Sequence, residues 1–175
     1  MQKNTEAENA QVKQQDPQMA MLLQVANRQF GIPLDAVTEV FPAFTPIHLP
    51  GYTGAIRAVI NIRSEILPLL DMRNILTGET STLASHQCFV LCACAKKRLA
   101  LLVDSVGEII SLDETSTRPL LLGSASSAIF SSFVLLENET VPMLNPDAIS
   151  DLVSDTSPQI HPDCVHQRVF QEITT

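Results

Sequence analysis

The sequence lacks a basic excess: 11 Lys and Arg stand against 19 Asp and Glu, for a net charge of −8. A nucleic-acid binder ordinarily carries a basic stripe to meet phosphates, so the balance argues against that class and equally against an anionic membrane surface as the main partner. Long apolar runs are missing too. Nothing approaches the ~18 apolar residues of a membrane span, so no direct membrane insertion is expected. The opening stretch MQKNTEAENAQVKQQDPQ is polar throughout and has no apolar signal-peptide core, which makes a cytoplasmic protein the expectation. Cysteines are few: Cys88, Cys92, Cys94 and Cys164 do not form a disulfide framework in such a setting. Catalytic signatures are absent as well. There is no GxSxG, HExxH or P-loop pattern, and the apolar body carries only His48 and His86. A nucleophile, a base and an orienting group have no visible way to converge, so neither an enzyme nor a cofactor is expected.

What is present is a chain 45% hydrophobic and only 17% charged, enough to bury a real core. Residues 1–18 are rich in Gln, Asn, Glu and Lys and read as a disordered arm. Apolar residues run from Met19 to Val153, and 154–175 reads as a polar tail in which Val165, Val169 and Phe170 suggest a short helix. Within 19–153, short β-branched runs alternate with Pro, Gly, Ser and Asn clusters, which predicts strands. These are placed at Met19–Ala26, Gln29–Ile32, Thr38–Phe41, Arg57–Ile62, Ile66–Asp71, Gln87–Ala95, Leu99–Val103, Glu108–Ser111, Ile129–Glu137 and Thr140–Met143. Helical signals are short: one turn over Pro33–Val37, another over Met72–Leu76 ended by Gly78, and a last helix opened by Asn145 as N-cap and Pro146 as first helical residue.

The chain repeats itself. RQFGIPLDAVTEV, from Arg28, is echoed by KRLALLVDSVGEI, from Lys97; both contain D-[AS]-V-x-E-[VI]. Further on, Leu67-Pro68-Leu69-Leu70-Asp71 is echoed by Val141-Pro142-Met143-Leu144-Asn145. Two matches in the same order, about 70 residues apart, point to a duplicated unit, with repeats at about 19–83 and 87–153. Many short strands in a unit of that size fit a small, partly open barrel, so two barrels side by side are expected.

Several constellations have a simpler and a sharper reading. Cys88, Cys92 and Cys94 share one face of a strand, with successive same-face positions ~7 Å apart, which suits buried apolar residues better than zinc ligands. The tail sequence HPDCVH, holding His161, Cys164 and His166, is only loosely metal-like. No metal is expected. Asp35 and Asp104 recur at equivalent repeat positions, which favours turn chemistry over catalysis. The loop from Phe41 to Pro50 carries Phe41, Phe44, Ile47 and Leu49 among three prolines, and must either pack back or offer a contact surface. Arg63 and Ser64 fall at a tight turn between two strands, where Arg63 is either solvated or presented to fork onto a carboxylate.

These residues resemble a known family. AVINIRSEILPLLDMR, from Ala58, is similar to the GVINLRGxxxPVxDLR signature of CheW-like domains. Ile32–Val40 resembles that family's IPxxxVxEI segment, Leu101–Ile109 its GLLVDxVxEV segment, and Val141–Asn145 its VxxLD ending. The resemblance covers 19–153. It implies an all-β fold of two five-stranded, SH3-like barrel subdomains with a few short helices. It also implies a non-catalytic adaptor that couples methyl-accepting chemoreceptors to the regulatory domain of a CheA-type histidine kinase. By that likeness Val37, Glu39 and Arg63 fall on partner-contact positions, and Phe41, Phe44, Ala58, Ile62 and Ser64 are expected to bind partners with them. Two family glycines are replaced here, by Ala58 and Ser64. With the extra tails, these departures suggest a specialised pathway rather than a flagellar one. The alternative is a small-ligand-binding or orphan regulatory β-barrel module, with the loop at 41–50 lining a pocket.

Overall fold

The computed structural model describes residues 18–49, 56–94, 97–112, 117–119, 129–136 and 139–154. The arm at 1–17, the tail at 155–175 and Cys164 lie outside them. Among the described residues there are eleven strands: β1 (Gln18–Val25), β2 (Arg28–Pro33), β3 (Val37–Pro42), β4 (Ile56–Ile62), β5 (Glu65–Asp71), β6 (Cys88–Cys94), β7 (Lys97–Val103), β8 (Ser105–Leu112), β9 (Thr117–Pro119), β10 (Phe130–Leu136) and β11 (Glu139–Leu144). Helices α1 (Met72–Thr77) and α2 (Pro146–Ser154) follow β5 and β11, and a single 3-10 turn, Leu34–Ala36, follows β2. Each expected strand overlaps an observed one. Only β9, three residues long, was not signalled.

The strands form a six-stranded sheet in the order β8-β1-β2-β11-β10-β9 and a five-stranded sheet in the order β3-β6-β7-β5-β4. The all-β class is as expected. The two five-stranded barrels are corrected to two sheets of six and five strands, neither closed into a ring by backbone pairing. The repeat unit is also not the structural unit, because each sheet takes strands from both halves of the chain. Pro33 and the 3-10 turn end β2 and send the chain from one sheet to the other, and the step from β7 to β8 at Asp104 does the reverse. The one parallel contact in each sheet joins the halves: β2 with β11 through Gly31 and Met143, β7 with β5 through Ala100 and Leu69. At Gly31 an added Cβ would run into the Met143 thioether, which would have to shift to admit it.

Burial follows strand parity. On β6, Val90 and Cys92 face a core shared by both sheets, together with Leu23, Phe30, Ile32, Leu70, Leu101, Leu144 and Ile149. Phe89 and Leu91 face the opposite way, into a second core with Ala58, Ile60, Ile62, Leu67, Leu69, Ala100 and Leu102. The central strands β5, β6 and β7 are thus buried on both faces, which explains why their sequences read as nearly unbroken apolar runs. A smaller core of Ala20, Val134 and Met143 lies within the six-stranded sheet.

Both connecting helices are capped by equivalent residues. Asp71 is almost fully buried and caps α1, accepting from the Asn74 N–H at 3.2 Å. Its carboxylate also accepts the Ser81 N–H and hydroxyl, each at 2.7 Å. Asn145 caps α2 through the Ala148 N–H at 3.2 Å, as its sequence position predicted.

Candidate functional site

The expected contact residues lie on the five-stranded sheet or the turn and loop attached to it, and two of them, Glu39 and Arg63, meet at the seam between its edge strands β3 and β4. Alternation on β3 turns Val37, Glu39 and Phe41 partly inward and leaves Thr38, Val40 and Pro42 exposed. At the other edge, β4 and β5 form a hairpin whose two-residue turn is Arg63-Ser64. From that turn Arg63 crosses the seam to Glu39. Nη1 donates to Oε1 at 2.9 Å, and Nη2 lies 2.9 Å from Oε2. Of the two readings of Arg63, the fork onto a carboxylate is present, but the carboxylate belongs to the same chain and the side chain stays largely solvated. The Arg63 side chain is 75% exposed and that of Glu39 30%, so as an ion pair it is worth only ~0–1 kcal/mol. Its geometry matters more than its energy. Two strands with no backbone pairing between them are joined here through side chains.

The loop after β3 does both things its composition allowed. Phe41 and Ala43 pack on the inner core, and the Ala43 N–H donates to the Gln87 carbonyl at 2.8 Å. Phe44 meets Phe89 edge to face, with ring centroids 5.0 Å apart, yet remains 41% exposed. Ile47 exchanges two backbone hydrogen bonds with Val59, at 2.8 and 2.9 Å, and so covers the free edge of β4 while its side chain faces solvent. The sheet edge thus carries the ion pair, and β3 and its following loop expose Val40, Phe44 and Ile47.

Two of the expected contact residues do not belong to this surface. Ala58 is 1% exposed and Ile62 9%, and both point into the inner core because they share parity with Ile60. They shape the hairpin from beneath. Ser64 is exposed at the turn and sits at φ 69°, next to Arg63 at φ 50°. Left-handed conformations at both central residues are what a twisted two-residue hairpin requires, and glycine adopts them without strain. Ser64→Gly is therefore expected to stabilise the protein by about 1 kcal/mol, read as a higher urea midpoint with unchanged slope.

A second left-handed turn without glycine, Ala26-Asn27, joins β1 to β2. Its Ala26 N–H donates to Asp104 Oδ2 at 2.7 Å. Arg73 Nη2 donates to the same oxygen at 2.7 Å, and Gln87 Nε2 to Oδ1 at 3.2 Å. Burial alone would raise the Asp104 pKa. The Ala26 N–H, the Gln87 amide and the Arg73 guanidinium outweigh it and hold the carboxyl below its ordinary value. Asp104 does serve a turn, as its sequence suggested, but one distant along the chain. The exposed Asp35, its counterpart in the repeat, lines a different cavity of about 440 Å³ with Asn145 and Asp147.

A groove of about 1010 Å³ lies between the Ala26-Asn27 turn, the last turn of α1 and the β10–β11 hairpin. Phe30 stacks on Phe130 in its lining, with centroids 6.2 Å apart. The loop at 41–50, expected to line a pocket if the chain bound a small ligand, is not among its walls. The cysteines of β6 behave as apolar residues. Burial, with Cys94 adding, pushes the Cys92 thiol up to about 12, and burial, with Asp147 adding, pushes Cys94 up to about 11. His48 and His86 are exposed. Among the described residues no group of His, Cys, Asp and Glu is placed to hold a metal ion, and no helix is long and apolar enough to cross a membrane.

Sequence reasoning missed the coupling of Arg73 to Asp104. The only signal was the recurrence of Asp at equivalent repeat positions, which says nothing about a partner 31 residues away.

Comparison with known proteins gives one consistent answer. No curated protein sequence matches the chain. Among solved structures, the chain is similar to the scaffolding protein TtCheW from Thermoanaerobacter tengcongensis, with a TM-score of 0.72 at 17% identity, over 83% of this chain and 99% of that one. The family model for the CheW-like domain matches residues 19–153, the span that holds both sheets and the seam. The chain belongs to the CheW-like domain family.

Proposed function

We propose that this protein is a non-catalytic cytoplasmic adaptor that couples methyl-accepting chemoreceptors to the regulatory domain of a CheA-type histidine kinase. The observation that supports this reading is the seam: a forked, largely exposed ion pair between the edge strands of a sheet whose β3 strand and following loop also expose Val40, Phe44 and Ile47. Such a surface suits a protein partner, since arginine and aromatic anchors at the centre of an interface supply most of its binding energy. Membership of the CheW-like family supports the adaptor role. Coupling then consists of holding receptor and kinase together, so that each biases the state of the other through interface free energy. The replacement of family glycines by Ala58 and Ser64 supports a specialised pathway outside flagellar swimming; a gene lying among flagellar chemotaxis genes would count against that part.

The test is binding of the full chain to the kinase regulatory domain and to a receptor cytoplasmic tip. Arg63→Glu and Glu39→Arg are each expected to weaken binding to one of them by at least about 10-fold. Combining the two reversals re-forms the ion pair with its sign inverted, and keeps the seam joined without restoring partner contacts. If both single variants bind both partners normally, the seam is not the interface, whatever the family.

A further inference from the structure

Two walls of the large groove meet at one oxygen atom. The turn after β1 supplies Val25, Ala26 and Asn27 to one wall, and the end of α1 supplies Ile75, Leu76 and Thr77 to the other. Asp104 is not part of the lining. It lies behind both walls, and its Oδ2 takes the Ala26 N–H and the Arg73 guanidinium, each at 2.7 Å. Arg73 stands three residues before Leu76 on α1, on the same side of the helix.

We propose that Asp104 is a positioning residue that couples the two walls, so that the groove keeps its width only while both are held. Several observations bear on this. The Ala26-Asn27 turn has both central residues left-handed and no glycine, so it needs a tie from outside itself. The Asp104 N–H donates to the Gln24 carbonyl at 2.9 Å, which fixes the carboxylate against the same hairpin. Its other oxygen is held by Gln87, next to β6 in the five-stranded sheet. The carboxylate cannot follow one wall outward without releasing the other. The side chains of Arg73 and Asp104 are largely shielded from water, so water is a poor substitute for either partner. The device joins the six-stranded sheet, through its β1–β2 turn, to the helix that follows the five-stranded sheet. It goes beyond the adaptor reading and does not depend on what occupies the groove.

Amide hydrogen exchange on the full chain tests it, at a temperature where each variant stays folded by circular dichroism. Arg73→Ala removes the α1 tie and leaves the Ala26–Asp104 bond in place. Coupling predicts that exchange speeds up about 10-fold both in α1 and in the Ala26-Asn27 turn, while β6 and β7 keep their wild-type protection. Asp104→Asn should have the same pattern with a larger effect. Arg98→Ala, which removes the exposed ion pair with Glu65 elsewhere on the surface, should leave both walls unchanged. If Arg73→Ala loosens α1 alone, the walls are independent and the proposal fails. A uniform rise across the chain would also overturn it, since Asp104 would then be a plain stability residue. Should Asp104→Asn not fold, Arg73→Ala decides the matter alone.

Discussion

Phe89→Ala is expected to lower the unfolding free energy by about 3–5 kcal/mol, the usual range for deleting a buried aromatic ring. Phe89 has no exposed surface, lies in the core of the five-stranded sheet and seats Phe44 edge to face. Removing it leaves a void walled by Ile60, Leu69, Leu91 and Leu102, which sit on four strands and cannot collapse together into the space. A domain of this size has ~5–15 kcal/mol to lose, so the variant will be marginal and its melting midpoint should fall by ~10 °C. Phe89→Leu keeps most of the apolar volume and should cost about 1 kcal/mol. Urea unfolding of the pair measures the difference. The same void frees Phe44, so partner binding at the seam should weaken even in the protein that remains folded. A cost below about 1 kcal/mol for the alanine variant would contradict the packing described.

Asp71→Ala should be nearly as damaging, at about 3 kcal/mol, because it strands three donors at once. The Asn74 N–H loses its cap, and the Ser81 N–H and hydroxyl lose the carboxylate that holds the chain after α1. The repeat supplies its own control. Asn145 occupies the equivalent place and caps α2 through the same side-chain oxygen, without a charge. Asp71→Asn should therefore keep the cap, lose part of the bonding to Ser81 and cost about 1 kcal/mol. Thermal unfolding of the two variants separates charge from hydrogen-bonding capacity. Equal losses in both would mean that the charge, rather than the bonds, is what α1 requires.

These expectations use features that differ in how far the sequence reveals them. Strands were legible because β-branched runs and breaker residues are local signals, and the α2 cap was legible because Asn145-Pro146 is a local pair. β9 was not, since three residues carry no period. The interleaving of the sheets was hidden for a different reason. Alternation tells which way a side chain points and nothing about which strand lies alongside. Gly31 and Met143 meet across most of the chain, and no pattern at either position names the other. The contact residues divide in the same manner. Arg63 was placed at a turn from its neighbours alone, whereas its partner Glu39 was singled out by family likeness. Ala58 and Ile62 were assigned to the surface by family likeness, although their parity with Ile60 already placed them inside. The left-handed turn at Ala26-Asn27 escaped notice, since no glycine marks it.

The strand order has a consequence for how the chain comes off the ribosome. When the first half has emerged, the β1–β2 and β4–β5 hairpins can pair and Ile47 can bridge to Val59, but β3 has no strand neighbour among the described residues until β6 arrives. The five-stranded sheet can be completed once Val103 is out, whereas β2 must wait for β11, near the end of the apolar body. Hairpins held open in this interval are the ones exposed to misassociation. Synthesis thus makes the five-stranded sheet the template, and Asp104, the next residue to emerge, is in place to catch the waiting β1–β2 hairpin before the second sheet closes over it.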